Sequence, residues 1–433
     1  MKQPVHRMGK QAWWLLAISG VFSLSVGLSN TFVNVYLWKI DKSFASIGWY
    51  NLFVYTVLPL TFIAAGHLSR KYHSVWSMRI GIALHAGFYL LTLLGGVQVA
   101  KLPVLLGAVL GMAAGFYWFA FNTLSFGFTG SGERERFYGL NGVMGAVAGM
   151  VAPPVAGFLI GYEDRFGGVS GYHLIFSLSL ALFVMAVWFS WRLKGERTQG
   201  NLHLFKAASA LKIRPWRNIL LGCSVYGLRE GVFLFLIGLL VYIATGSELR
   251  LGEFVLLQSA LSFASFFFVG RLCKPNNRMR VMAAGGLALA CAATLFLLPL
   301  SAKVMIWYGS LAALALPLFL LPVQGLVFDG ISKLDAQNQD YMEHVIIREI
   351  FQNAGRVAGI AVFLWLASNS MDTRRLTGFA MALGCVQLVS WVLMKLGKSD
   401  RFVQGMKRVS ELIPGHLGTE RLETAVRKRR VQP

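Results

Sequence analysis

The sequence predicts an all-α polytopic membrane protein, with twelve membrane-spanning helices in two pseudo-symmetric six-helix bundles. Three observations carry that expectation. Hydrophobic residues make up 56% of the 433 positions and charged residues only 14%, against about 25% charged in an ordinary soluble domain. Twelve apolar windows approach the roughly 20 residues that a helix needs to cross a bilayer core of about 30 Å. Features of the first half also recur in the second, at an offset near half the chain length. A water-soluble fold of this size could not hide so much apolar surface, and the same composition excludes disorder, collagen-like structure and coiled coil.

In order, the windows are Ala12–Trp38, Ile47–Leu68, Met78–Val99, Val104–Phe128, Gly139–Ile160, Leu174–Arg192, Arg217–Thr245, Glu253–Leu272, Met279–Leu300, Val304–Phe328, His344–Leu366 and Leu376–Leu396. The first is too long for the apolar core of a cleavable leader and lacks a small-residue cleavage site, so it stays as a span. Trp13, Trp14 and Trp38 sit where interfacial aromatics collect. Span five carries Gly142, Gly145, Gly149, Pro153, Pro154, Gly157 and Gly161. Small residues every three or four positions let backbones approach closely, and paired prolines remove two donors and bend the helix. Such a span suits rocking between halves, while plain structural packing is the simpler account. The connections are short apart from two, which divides the chain into bundles at 1–192 and 217–397, a central linker at 193–216 and a basic tail at 398–433.

An even span number puts both termini on one face. With that face cytoplasmic, 30 of the 41 Lys and Arg residues fall on the cytoplasmic side, eight on the other, and three inside spans. That asymmetry follows the positive-inside rule and predicts cytoplasmic termini in the cell membrane. It also accounts for the net charge of +22 without a nucleic-acid partner. The tail run Arg427, Lys428, Arg429 and Arg430 is expected to be solvated or to meet anionic lipid headgroups. Cys223, Cys273, Cys291 and Cys385 lack metal or CxxC spacing and read as small core hydrophobes. Nothing calls for a metal or another cofactor.

The halves match in several registers. Gly66 and Leu68 correspond to Gly270 and Leu272 at an offset of 204, as does Gly48 to Gly252. Gly27-Leu28 corresponds to Gly227-Leu228, Gly145 and Gly149 to Gly355 and Gly359, and Asn122-x-Leu-x-Phe126 to Gln324-x-Leu-x-Phe328. On these residues the chain resembles the major facilitator superfamily across essentially its whole length. The turn Gly66-His67-Leu68-Ser69-Arg70-Lys71-Tyr72 resembles that family's signature G-x-L-[AS]-D-R-x-G-[RK]-[RK], but places Arg70 where the family has an acid. That acid normally latches the two halves on the cytoplasmic face, so the usual latch is lost here or built from other residues. Span five resembles the Gly/Pro-rich fifth helix of the antiporter branch. Gly66, Arg70, Gly145, Gly149, Pro153, Pro154, Gly270, Gly355 and Gly359 are the positions expected to serve conformational change.

Ionisable groups inside a span are costly and point to function or to an internal pair. Span seven holds Arg229 and Glu230 near its middle, and span eleven holds Arg348, Glu349, Gln352, Asn353 and Arg356. At about 100° per residue, Glu349, Gln352, Asn353 and Arg356 form one polar stripe, whereas the adjacent Arg229 and Glu230 cannot share a direction. Other polar candidates are Asn30 and Asn34 in span one, His85 in span three, Tyr117, Trp118 and Asn122 in span four, Asn141 in span five, Tyr226 in span seven and Gln324 in span ten. His85 reads more simply as a structural residue. In the superfamily, spans one, four, seven and ten line the central cavity, which implies that Asn30, Asn122, Arg229, Glu230, Gln324, Glu349, Gln352 and Arg356 converge at mid-membrane. The plainer account is a self-neutralising set, with Arg229, Arg348 and Arg356 balanced by Glu230, Glu349 and Asp329.

The chain has no Walker lysine motif, HExxH pair or nucleophile constellation in a suitable context, so it is expected to be a transporter rather than an enzyme or an ATP-driven pump. Two matching halves around a midplane site suit secondary transport by alternating access. The leading expectation is proton-coupled export or antiport of a small or amphiphilic molecule by a monomer, with Glu230 and Glu349 as proton carriers. A lipid-linked substrate flippase and a non-transporting membrane scaffold or sensor are the alternatives.

Overall fold

The computed structural model describes residues 8–129, 134–162, 170–195, 202–274, 276–334, 341–368 and 373–397. The tail 398–433, with the expected lipid-facing run at Arg427 to Arg430, lies outside the described residues. Among the described residues all regular structure is helical: α1 (Lys10–Asp41), α2 (Phe44–Lys71), α3 (Ser74–Ala100), α4 (Pro103–Phe128), α5 (Arg134–Gly161), α6 (Gly171–Ser190), a short α7 (Leu204–Ser209), α8 (Arg214–Thr245), α9 (Glu248–Leu272), α10 (Arg278–Ala293), α11 (Ala302–Leu334), α12 (Tyr341–Ser368) and α13 (Thr373–Gly397). Twelve of the described helices are long and apolar enough to cross a membrane, so spans seven to twelve of the sequence are α8 to α13. The protein is a multi-pass membrane protein.

Helix pairing reproduces the repeat. In the first half α1 packs on α5 and α6, α2 on α4, and α3 on α4 and α6. Advancing each partner by six spans gives α8 on α12 and α13, α9 on α11, and α10 on α11 and α13, all of which occur. The two most extensive contacts between halves, α5 with α9 and α2 with α12, exchange with each other under the same shift.

The repeat reaches the helix ends. Ser43 caps α2 by accepting from the Ser46 N–H, and Ser247, 204 positions on, caps α9 by accepting from the Arg250 N–H. Both relieve N–H groups that have no partner in the first turn. Just before each cap the chain turns left-handed, at Lys42 (φ 50°) and at Gly246 (φ 65°). Glycine adopts that conformation without a Cβ clash, and Lys42 does not.

Prolines interrupt α2 at Pro59, α5 at Pro153 and Pro154, and α11 at Pro317 and Pro322. Span nine is shorter than expected, since α10 ends at Ala293 and a 3₁₀ turn, Thr294–Leu297, completes the crossing. Of the four cysteines, Cys223 is buried as expected, whereas Cys291 is exposed on the helix surface. Trp13 is likewise exposed.

Candidate functional site

The site is built where α8 and α12 cross. Gly227 and Gly231 lie on the contact face of α8, and Gly355 and Gly359 on that of α12. A Cβ at Gly227 would stand 2.3 Å from the Gln352 carbonyl oxygen, one at Gly355 1.8 Å from the Ser224 carbonyl oxygen, and one at Gly359 2.2 Å from the Leu228 carbonyl oxygen. Only the absence of side chains lets these backbones approach so closely. The small residues at four-residue spacing thus bring the two charged stretches together.

Glu230 and Arg356 meet across this crossing. The Arg356 Nη2 and Nε donate to Glu230 Oε2 at 2.7 and 2.8 Å. Gln352 Nε2 donates to the same oxygen at 2.7 Å, and the Tyr226 hydroxyl reaches Glu230 Oε1 at 3.3 Å. Arg356 also donates to Asn353 Oδ1 at 3.0 Å, and Asn353 Nδ2 donates to Glu349 Oε2 at 3.2 Å. Arg348 Nη1 closes the ladder, on Glu349 Oε1 at 2.9 Å and Gln352 Oε1 at 2.7 Å. The expected stripe on span eleven is therefore one continuous hydrogen-bonded ladder. Its charged side chains are mostly buried, Arg356 at 13% exposure and Glu230 at 19%. From the opposite half, Tyr55 of α2 presents its ring to the Arg356 guanidinium at 5.0 Å.

Arg229 departs from this group, as the 100° step between neighbours requires. It is buried and points to α11, where its Nη2 meets the Tyr308 hydroxyl at 3.4 Å and its guanidinium lies 4.5 Å from the Phe233 ring centre. The sequence grouping of Asp329 with the midplane charges needs correction. Asp329 pairs with Arg278 of α10 at 2.7 Å, near the end of α11.

Among the described residues, the first-half candidates and Gln324 make no hydrogen bond to the ladder. Asn34 is buried on α1 and accepts from Asn51 Nδ2 of α2 at 2.9 Å. Tyr117 is buried in an aromatic stack, 3.5 Å from Phe22 between ring centres, with His85 and Phe183 alongside. His85 itself is buried with its Nδ1 on the Gly81 carbonyl at 2.8 Å, a structural arrangement. Asn141 accepts from Ser19 at 2.6 Å and ties α5 to α1. Asn30 and Gln324 are exposed and Asn122 is half-buried. Among the described residues, none of these three side chains bonds to the ladder.

Among the described residues, two ion pairs bridge the halves at opposite faces. On the face where α1 begins and α13 ends, Arg70 of α2 donates to Glu343 of α12 at 2.8 Å, with Glu343 1% exposed. The signature turn, which has a base where the family has an acid, thus reaches α12 through an ion pair to a carboxylate of that helix. On the other face, Lys39 of α1 reaches Glu248 at the start of α9 at 2.8 Å, and the Tyr172 hydroxyl of α6 donates to the same carboxylate oxygen at 3.1 Å. Among the glycines expected to serve motion, Gly149 faces Ser259 across the α5–α9 contact, Gly66 packs near Ile346 of α12, and Gly145 and Gly270 have no heavy atom within 4 Å of a Cβ position. Gly157 and Gly252 carry the close α5–α9 crossing instead, each against a carbonyl of the partner helix, and the carbonyl facing Gly252 is that of Pro153. Sequence reasoning missed Tyr55, Lys39, Glu248, Tyr308 and Glu343. It also missed the Gly227/Gly231 pair, whose four-residue spacing in the run Tyr226 to Gly231 was a readable signal.

Two repeated six-helix bundles, joined by ion pairs at both faces and enclosing a charged ladder at mid-span, define a secondary transporter. The Major Facilitator Superfamily model matches residues 15–371, and the chain belongs to that superfamily. It is 42% identical over 416 residues, covering 93% of this chain and 95% of its counterpart, to the "Uncharacterized protein YqgE" of Bacillus subtilis (strain 168). Over 191 residues it is 39% identical to an "Uncharacterized protein in sodM 3'region" of Geobacillus stearothermophilus, spanning 44% of this chain and 88% of that one. Among solved structures it is similar to the nucleoside transporter NupG (TM-score 0.66, 15% identity, 90% of this chain and 100% of that one). It is also similar to the E. coli fucose:proton symporter FucP (TM-score 0.61, 12% identity, 88% and 98%). At such identities these two structures attest the fold alone.

Proposed function

We propose that this transporter moves a small molecule by alternating access and couples the movement to protons at Glu230, with Glu349 as a second carboxylate in the same ladder. The observation that carries this reading is the Glu230–Arg356 pair, near the middle of both α8 and α12 and faced by Tyr55 of the other half. A proton on Glu230 cancels the charge that holds Arg356 and frees both groups for a substrate. A cationic substrate competes with the proton for one carboxylate, which gives exchange and the export direction expected from span five. An anionic substrate takes the guanidinium while the proton takes Glu230, which gives co-transport. The structural neighbours, a nucleoside transporter and a fucose:proton symporter, support a polar cargo and protons as the coupling ion.

The bundles 1–192 and 217–397 serve as the two rocking units, with 193–216 as their link. The face bearing Arg70 and Glu343 is cytoplasmic, in the cell membrane, on the strength of the Lys/Arg asymmetry. The test uses proteoliposomes and the substrate found by thermal-shift screening of metabolites, drugs and lipid headgroups at two pH values. Glu230→Gln and Glu349→Gln are compared with wild type for uptake driven by a pH gradient and for exchange without one. Loss of driven uptake with exchange retained is the expected result for Glu230→Gln. Driven uptake at the wild-type rate in both variants rejects proton coupling at this ladder.

A further inference from the structure

The charge balance expected at mid-membrane fails by one residue, and that residue is Arg229. Among the described residues, every acidic side chain from Glu230 to Glu349 is paired with another cation. Glu230 is held by Arg356, Glu248 by Lys39, Glu253 by Arg250, Asp329 by Arg278, Glu343 by Arg70 and Glu349 by Arg348. No described carboxylate lies within 4 Å of Arg229.

Arg229 is nevertheless 6% exposed. It stands about 23 Å from either end of α8 at about 1.5 Å per residue, deep in the apolar layer. Its Nε has no hydrogen-bond partner, and its Nη2 has only the long contact to the Tyr308 hydroxyl at 3.4 Å. The Phe233 ring on one side supplies a cation–π contact. A guanidinium with five donors is here almost wholly unspent, in a setting where an uncompensated charge is costly. The Tyr308 hydroxyl accepts from Arg229, and its own proton has no acceptor among the described residues. Two donors from α8 and α11 are therefore held together, buried, with nothing negative between them.

We infer that Arg229 and Tyr308 form a seat for the carboxylate or phosphate group of a soluble organic anion, which makes the cargo of this transporter anionic. This rests on the secondary-transporter reading and selects, of the two charge types discussed above, the one that travels with the proton. The seat lies one residue from Glu230, and Tyr226, which bonds Glu230, is three residues from Arg229 on the same helix. Binding at the anion seat and protonation of Glu230 thus occur on one turn of α8. An anion bonded by the fork of Arg229 and by the Tyr308 hydroxyl gives the buried charge the partner that the protein itself withholds.

The test is an equilibrium one on the full chain in nanodiscs, by thermal shift and titration, with no gradient present, so it succeeds or fails independently of proton coupling. The probes are lactate and succinate for carboxylates, inorganic phosphate and glycerol 3-phosphate for phosphates, and tetraethylammonium and mannitol as cationic and neutral counterparts. At least one anion stabilises the wild type saturably, and tetraethylammonium and mannitol do not. Arg229→Gln weakens that anion tenfold or more while the ligand-free variant melts no lower than wild type, because an uncompensated buried charge has gone. Tyr308→Phe weakens it threefold to tenfold and settles the matter if Arg229→Gln does not fold. Absence of stabilisation by all four anions overturns the inference, as does stabilisation by tetraethylammonium instead. So does unchanged anion affinity in Tyr308→Phe together with a ligand-free Arg229→Gln that melts lower or fails to fold, which marks Arg229 as a structural residue.

Discussion

Gly355→Ala is the sharpest probe of how the site is assembled, because it adds one methyl group at the tightest point of the α8–α12 crossing. The new Cβ would stand 1.8 Å from the Ser224 carbonyl oxygen, and real Cβ atoms essentially never come within 3.0 Å of such a neighbour. The obstacle is backbone, so no side chain can swing aside. The helices must part locally by about 1.2 Å, and overpacking of this kind costs about 1–3 kcal/mol. The same parting carries the Arg356–Glu230 contact from 2.7 Å to about 4 Å, the limit of an ion pair, so the pair weakens along with the packing. Gly355→Ala therefore lowers the melting temperature by several degrees and cuts gradient-driven transport tenfold or more. The control is Gly145→Ala, the residue that corresponds to Gly355 in the repeat. Nothing lies within 4 Å of a Cβ there, and a methyl group added into open space stays within about 0.5 kcal/mol. A Gly355→Ala protein that melts and transports like wild type, or an equally damaged Gly145→Ala protein, would refute the claim that the glycines at the α8–α12 crossing set the ion-pair geometry.

Other outcomes follow from the inter-half pairs and the repeat. Arg70→Glu or Glu343→Arg alone opposes like charges at a contact that is nearly buried, and so parts α2 from α12 at the termini face. Spin-label distances between those helix ends lengthen in each single variant and return toward wild type in the double swap, and a double swap no better than the singles contradicts the latch. Glu248→Gln removes the charge that draws Lys39 across to α9. It shifts the population toward states open at the opposite face, read as faster alkylation of a cysteine placed at Thr31; an unchanged alkylation rate argues against gating there. Lys42→Gly supplies at the end of α1 the residue type that already ends α8 at Gly246, and relief of the left-handed strain raises stability by roughly 1 kcal/mol in thermal unfolding, whereas a fall in melting temperature shows that Lys42 makes a compensating interaction.

Much of the fold was legible because a bilayer imposes one simple demand: every backbone donor and acceptor must be satisfied within the segment, so long apolar windows read directly as helices. The repeat was legible as matching glycines for a similar reason, since close backbone approach leaves few residue types to choose from. The stripe Glu349–Gln352–Asn353–Arg356 followed from helical periodicity alone. The cross-half partners were not legible. Lys39 and Glu248 are 209 positions apart and Arg70 and Glu343 273 apart, and no local rule relates residues at such separations. Tyr117 and Asn34 show the converse limit. Both are polar residues on helices that the family uses to line its cavity, yet packing turns one into an aromatic stack and ties the other to Asn51.

The chain by itself determined twelve helices, their doubling, and which residues on span eleven share a face. Only the tertiary structure decided which charge meets which. It gave Glu230 to Arg356, Asp329 to Arg278 and Glu343 to Arg70, and left Arg229 facing a tyrosine. Periodicity fixes a side chain's direction about its own helix axis, but a charge finds its partner through the distance and rotation between two axes. In this protein those are set by glycine contacts that no single helix contains.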